Sequence, residues 1–270
     1  MKNGFKITDA HCHIYPEKIA AKAVTGIETF YEADPFPGNG TVPDLIRLGG
    51  ENGVDRFIVQ SVATSAHQVR SINEFIASRV SQYPDKLTGL GTLFPGSPTL
   101  REDYEHLRSL GLRGIKLHPD FQGFKIDDYR CLEIYEMCER DNFPILMHTG
   151  DSRYDNSNPN RMLPILQIYT GLTVTGAHFG GWSVWDEAKS KLAGIPNFYV
   201  DTSSSMHYIN DPRKVRSLID AYGADHVLFG TDYPMWSPEY ELDWLFKLGL
   251  GDEEMRMILS ENAEKLYGTI

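Results

Sequence analysis

Eight short apolar runs, rich in β-branched residues, recur along the chain: FKITDAHCHI, RFIVQSVA, LTGLGTLFP, RGIKLHP, PILMHTG, TVTGAHFGG, FYVDTSS and VLFGTDYP. Most are continuously apolar rather than alternating, the pattern of parallel strands covered on both faces. Helical patterns lie between them. In AHQVRSINEFIASRVSQY, Val69, Ile72, Ile76 and Val80 share one stripe, and in LREDYEHLRSL so do Leu100, Tyr104, Leu107 and Leu110. Asp211-Pro212 and Ser237-Pro238 each pair an N-cap residue with proline at the first helical position, so each opens a helix. After the first unit the strands begin at roughly even spacing, one βα unit each. Eight strands with short connections predict a closed (β/α)8 TIM barrel, one domain over residues 1–270. An open doubly wound sheet would need a glycine-rich phosphate turn after the first strand. DAHCHIYP has none, and GLGTLF lacks the third glycine.

Residues 14–55 break the rhythm. They read as an insertion after strand 1: a helix near 16–30, an irregular stretch containing YEADPFPGNGTVP, then a helix near 43–52. Long loops in compact domains are often functional. This one is expected to cover the barrel mouth, narrowing the pocket or meeting a second subunit of a homodimer.

Composition excludes several classes. The net charge is −11 and Lys and Arg do not cluster, so there is no basic patch for nucleic acid. No apolar run approaches the roughly 20 residues that span a bilayer, and no apolar leader is visible. Cys12, Cys131 and Cys138 read as reduced thiols, with Cys131 and Cys138 two helical turns apart and out of bridging range. The chain is therefore expected to be cytoplasmic, without a membrane partner.

Polar residues are costly inside such strands, yet here they gather at one end of them. Strand 1 ends with His11 and His13, strand 4 with Lys116 and His118, strand 5 with His148, strand 6 with His178, strand 7 with Asp201 and strand 8 with Asp232. Alternation puts His11 and His13 on one face and Cys12 on the other. In a barrel these ends meet at the mouth where active sites lie. One histidine near a strand end is an ordinary loop residue; five of the chain's nine, gathered there, read as a metal site. Imidazoles with a carboxylate suit a divalent ion such as Zn²⁺. Three or four protein ligands leave a position for water, whose pKa the ion lowers toward about 7.

At these residues the chain resembles the amidohydrolase superfamily, and within it the branch that includes aminocarboxymuconate-semialdehyde decarboxylase and many small barrel hydrolases. The motifs are DAHCHI, GIKLHP, HTG, GAHFGG and GTDYP, with ILSENAEKLYG resembling the branch's terminal helix. The resemblance implies His11, His13, His148 and Asp232 as metal ligands. It implies His178 beside the metal as an acid/base, with Asp232 also able to take a proton. It leaves two roles for Lys116: carboxylated and bridging two metals, or, together with His118, binding a substrate carboxylate. The second is favoured because a free ammonium pairs readily with an anion. A salt bridge from Lys116 to Asp201 is the structural alternative.

Around these residues, Arg153 and Arg161 are each either a carboxylate clamp or a solvated loop charge. Phe121, Phe124, Trp182, Trp185 and Trp236 either wall a pocket for a cyclic substrate or cover the helical layer. The leading functional expectation is a metal-dependent hydrolase that attacks an amide, ester or lactone carbonyl with metal-bound hydroxide. The alternative is a metal-dependent decarboxylase of an aromatic or unsaturated carboxylic acid. From another class comes a non-catalytic metal-binding barrel, which would close its site with four protein ligands. One zinc ion is expected, two if Lys116 is carboxylated.

Overall fold

A computed structural model describes residues 1–268. Its strands are β1 (Thr8–His13), β2 (Arg56–Gln60), β3 (Leu87–Gly89), β4 (Ile115–Leu117), β5 (Ile145–Met147), β6 (Val174–Gly176), β7 (Phe198–Asp201) and β8 (Val227–Leu228). Every pairing is parallel and in sequence order within β1–β3 and β4–β8. Two seams complete the circle. Gly91 joins β3 to β4 by donating to Gly114 O (2.9 Å) and accepting from Lys116 N (2.7 Å). The β8 end joins β1 through Ala10 N to Phe229 O (2.8 Å) and His13 N to Tyr233 O (2.7 Å). The sheet is thus the closed (β/α)8 barrel that the run pattern predicts.

The ladders are shorter than the apolar runs. His118 and His148 directly follow their strands, His178 lies two residues on and Asp232 four residues on. These side chains stand on the loops leaving the mouth. There the backbone is free of the ladder and can turn.

β1 carries the one irregular register. Asp9 pairs with Phe57, but Cys12 pairs with Val59 and His13 with Gln60, so β1 holds one residue more than its partner. This bulge resets the alternation. It sends His13, opposite Gln60, to the barrel interior and leaves Cys12 in the apolar layer under the helices.

One step toward the barrel bottom, Ile58, Leu90, Leu146, Tyr199 and Leu228 form a buried plug with Ala263 and Tyr267 of the C-terminal helix. Leu146 and Tyr199 lie two residues before His148 and Asp201, hence on the same strand faces. The site therefore rests on an apolar floor.

The helices follow the sequence signals closely. Val69–Gln82 and Leu100–Ser109 are helical, and Asp211 and Ser237 cap theirs by accepting from Arg213 N and Glu239 N. The insertion forms α1 (Glu17–Tyr31) and α2 (Val42–Glu51). Tyr233 pins the stretch between them to the end of β8: its hydroxyl accepts from Gly40 N (3.1 Å) and donates toward Asp44 Oδ2 (3.0 Å). The insertion lies over the mouth, since Ile27, Tyr31 and Phe36 line the same pocket as the strand-end histidines. All three cysteines are buried and unbridged. No helix among the described residues is long and apolar enough to cross a membrane.

Candidate active site

The centre of the mouth is a knot of imidazoles. His11 Nε2 and His13 Nε2 are 3.2 Å apart, and Asp232 Oδ1 lies 3.3 Å from the first and 3.5 Å from the second. Lys116 Nζ is 3.0 Å from His11 Nε2. His178 stacks on His11 with ring centroids 5.3 Å apart and turns Nε2 to within 3.1 Å of His148 Nδ1. His118, Phe121 and His148 form a stack with centroids 3.9 Å apart at each step. His11, His13, Lys116, His118, His148, His178 and Asp232 line one pocket.

A second ring of polar groups orients the first. Asp201 Oδ2 accepts from His11 Nδ1 at 2.9 Å, which puts the proton on Nδ1 and leaves the Nε2 lone pair facing the centre. Ser203 O lies 2.9 Å from His178 Nδ1; a carbonyl only accepts, so that nitrogen carries a hydrogen. Asp120 Oδ2 stands 3.7 Å from His148 Nε2, a buried nitrogen without a hydrogen-bond partner among the described residues. The salt bridge considered between Lys116 and Asp201 does not form; Asp201 is spent on His11, His178 N and Ser203.

Burial sets the protonation states. Burial, with Lys116 adjoining, pushes His11 down to about 4. Burial also lowers His13, and holds His118 and His148 well below the ordinary imidazole value. These rings are neutral at pH 7, the form that offers a lone pair to a cation. Burial lowers Lys116 to about 8, which still leaves mostly ammonium at neutral pH. Burial opposes ionisation of Asp232 too, but the surrounding His11, His13 and His178 outweigh it and hold the carboxyl well below the usual carboxylate range.

The backbone is strained where function gathers. His178 (φ +60°), Phe179 (φ +52°), Ser204 (φ +51°) and Asp232 (φ +61°) all occupy the left-handed region that non-glycine residues avoid. Asp232 is held there by Ser204 Oγ, which donates to Oδ2 at 2.6 Å and accepts from Trp236 Nε1 at 2.9 Å. That leaves Oδ1 for His11 and His13. Asp120, Ser203, Ser204 and Tyr31 are site residues the sequence reading passed over. The legible signals were an acid two residues after His118 and the hydroxyl run after Asp201.

Single donor atoms of His11, His13 and Asp232 lie within 4.8 Å of one another, as do those of His118, Asp120 and His148. Neutral imidazole nitrogens and a carboxylate oxygen, buried and oriented by second partners, fit a divalent metal ion.

The other predicted contacts divide. Phe121 lines the pocket, Trp182 lines a neighbouring cavity, and Phe124 is buried in the core. Trp185 packs on the core and Trp236 supports Ser204. Arg161 pairs with Asp127 and Asp155 at the surface. Arg153 does not line the pocket; its guanidinium is engaged by Asp151 at 2.8 Å and by Phe30 O at 2.9 Å.

Comparison with known proteins gives the family. The family profile described as amidohydrolase matches residues 8–269. The chain is 24% identical to a gamma-resorcylate decarboxylase of Polaromonas sp., over 82% of this chain and 86% of that one. It is 25% identical to a 2-amino-3-carboxymuconate-6-semialdehyde decarboxylase of Dictyostelium discoideum, over 60% of this chain and 55% of the relative. Among solved structures, a dihydroxybenzoic acid decarboxylase of Polaromonas sp., with bound manganese and 2-nitroresorcinol, superposes with a TM-score of 0.73. It is 17% identical and covers 98% of this chain and 97% of that one.

Proposed function

The chain belongs to the amidohydrolase family, and on that premise we propose that it is a metal-dependent decarboxylase of an aromatic or unsaturated carboxylic acid. The observation that carries this reading is Lys116, a fully buried cation against the donor cluster, where it can meet a substrate carboxylate. The names of both curated relatives support decarboxylation, whereas hydrolysis of an amide, ester or lactone draws support from the family name alone. The sequence expectation is thereby reordered, with its alternative placed first.

His11, His13 and Asp232, whose donor atoms gather within 4.8 Å, are proposed to hold one divalent ion; His148, whose donor groups with His118 and Asp120 instead, is the proposed fourth ligand. Zinc suits the donors, and the manganese in a structural neighbour makes that metal the competitor. When bound, the ion supplies positive charge that orients and polarises the substrate's oxygens. Lys116 and His118, which line the same pocket, would receive the carboxylate. Loss of CO₂ leaves the electron pair of the broken C–C bond on the substrate carbon, which must take a proton. His178 is the residue proposed to manage that proton. Ser203 O keeps one hydrogen on Nδ1, so Nε2, which lines the pocket, is the atom that would take up and return the proton. Asp232 is the second candidate for the same task.

The test is a side-by-side screen of protein loaded with zinc or manganese. One arm offers aryl acids such as 2,6-dihydroxybenzoate and follows CO₂ release; the other offers amides, esters and lactones. CO₂ release from the first arm is the expected result. Hydrolysis in the second arm without CO₂ in the first would return the hydrolase reading. Tight metal with no turnover in either would return the non-catalytic barrel.

A further inference from the structure

We propose that Tyr31, carried into the mouth by the insertion, is a substrate-contacting residue that donates its hydroxyl hydrogen to an anionic oxygen of a bound aryl acid, and that Arg153 is the residue that positions it. The proposal rests on the aryl-acid reading above.

The direction of the hydrogen bond at Tyr31 follows from its neighbour. His118 Nδ1 accepts from Phe121 N at 3.3 Å, at the start of a one-turn helix. In the neutral ring the proton is then on Nε2, which faces Tyr31 Oη at 3.2 Å. Tyr31 accepts that hydrogen, and among the described residues its hydroxyl has no second partner. Its own hydrogen is left for the pocket. Burial raises the phenol well above its ordinary value, so the hydrogen stays in place through the neutral range.

Tyr31 also lies where a substrate must go. It lines both small cavities of the mouth, about 30 and 10 Å³, together with His148, His178 and Asp232. Each cavity holds roughly a water or two. An aryl ring entering beside Lys116 has to take space that Tyr31 borders.

Arg153 holds this arrangement from outside. Its Nε and Nη2 donate to Asp151 Oδ1 and Oδ2 at 3.0 and 2.8 Å, and its Nη1 donates to Phe30 O at 2.9 Å. Phe30 O belongs to the last turn of α1, where unpaired carbonyls and the helix dipole favour a cation. The guanidinium also lies 5.2 to 5.8 Å from the ring centroids of Phe30, Tyr31, Tyr154 and Trp182. Arg153 is thus a latch between the loop after β5 and the end of α1, one residue from Tyr31. Three of its five donors are engaged by Asp151 and Phe30.

The experiment compares wild type with Tyr31→Phe, Arg153→Lys and Arg153→Met, all metal-loaded. The probes are 2,6-dihydroxybenzoate and benzoate. Calorimetry gives binding, CO₂ release gives kcat and KM, and limited proteolysis within residues 32–37 reports α1 docking. Tyr31→Phe keeps the ring and removes one hydrogen bond to a charged oxygen. It should weaken binding or kcat/KM about 10- to 100-fold, with metal content and proteolysis unchanged. A loss on both acids assigns the contact to the carboxylate, and a loss on the dihydroxy acid alone assigns it to a ring oxygen. Arg153→Met should raise KM more than it lowers kcat and speed proteolysis, with Arg153→Lys partly restoring both. A wild type that binds and decarboxylates the acid, with Tyr31→Phe indistinguishable from it, overturns the inference and leaves the function standing. A wild type that neither binds nor decarboxylates any aryl acid overturns the functional reading, and this inference with it.

Discussion

Replacing Asp201 by asparagine tests whether the second ring of polar groups sets the metal affinity of the first. The carboxylate makes two kinds of contact. Oδ1 accepts from His178 N (3.0 Å), Ser203 N (3.1 Å) and Ser203 Oγ; Oδ2 accepts from His11 Nδ1 (2.9 Å). An asparagine can keep its carbonyl oxygen in the Oδ1 position, so the backbone contacts survive and the fold should hold. Its amide nitrogen then meets His11 Nδ1 with a donor facing a donor. The conflict resolves when His11 shifts its proton to Nε2, the atom that faces His13, Lys116 and Asp232. A protonated Nε2 has no lone pair for a metal. Binding must reverse the tautomer and forgo a hydrogen bond to a charged acceptor, a cost of about 1.5 to 3 kcal/mol. At about 1.4 kcal/mol per decade, metal affinity should fall roughly 10- to 100-fold, the usual penalty for removing an orienting partner. Chelator competition with zinc and with manganese measures it, and circular dichroism verifies the fold. Asp201→Ala, which imposes no wrong tautomer, should cost no more. A folded Asp201→Asn protein with wild-type metal affinity would refute the reasoning.

His178→Ala should keep the fold and near one equivalent of metal while the rate falls about 10²- to 10⁴-fold; loss of metal with partial rescue by added metal would make His178 a ligand instead. Lys116→Ala should chiefly raise KM for carboxylate substrates, and mass spectrometry should find Lys116 unmodified with one metal per chain; two metals and activation by bicarbonate would instead show a carboxylated bridge. Metal at about 100 times its dissociation constant should stabilise the fold by about 2.7 kcal/mol and raise Tm by roughly 5 to 10 °C, which differential scanning calorimetry with and without chelator will check. Gly150→Ala should destabilise the protein by about 2 to 4 kcal/mol in urea unfolding. Gly150 sits at φ +81°, and a Cβ there would lie 2.3 Å from Trp182 N.

The barrel was legible because its determinants are local. Continuous apolar runs, amphipathic spacers and Asp-Pro or Ser-Pro openings each report on a few neighbouring residues, and the structure places strands and helices where they point. The gathering of His11, His13, Lys116, His118, His148, His178 and Asp232 followed from topology alone, since parallel strands bring like ends together. The bulge in β1 was not legible, because an extra residue changes the facing of the strand and not its composition. Asp120 escaped because its partner, His148, is supplied by a different strand. Tyr31 escaped for a larger reason: it sits at the end of a helix 87 residues from His118, and pairwise meetings at that distance leave no trace in the pattern of either segment. Arg153 illustrates the converse. A loop arginine near a mouth suggests a clamp on substrate, whereas in the structure Asp151 two residues before it and the end of α1 engage three of its donors.

The site also shows why so much polarity can be buried at one end of this barrel. Burial disfavours the charged form of His11, His13, His118 and His148, and a neutral ring with one fixed acceptor leaves no unpaired donor behind. Asp201 supplies that acceptor to His11 and Ser203 O supplies it to His178, while His148 Nε2 is left short of Asp120 at 3.7 Å. The inward nitrogens meet one another and Lys116, with His148 Nε2 left without a partner among the described residues, and a cation would engage several of them at once. Strain adds to the same demand: the left-handed conformations of His178, Ser204 and Asp232 each cost about 1 to 3 kcal/mol. Metal binding should offset part of both costs. Stability and metal affinity in this protein are therefore expected to move together. A substitution that weakens the orienting ring, such as Asp201→Asn, should lower Tm far more in the presence of metal than in its absence.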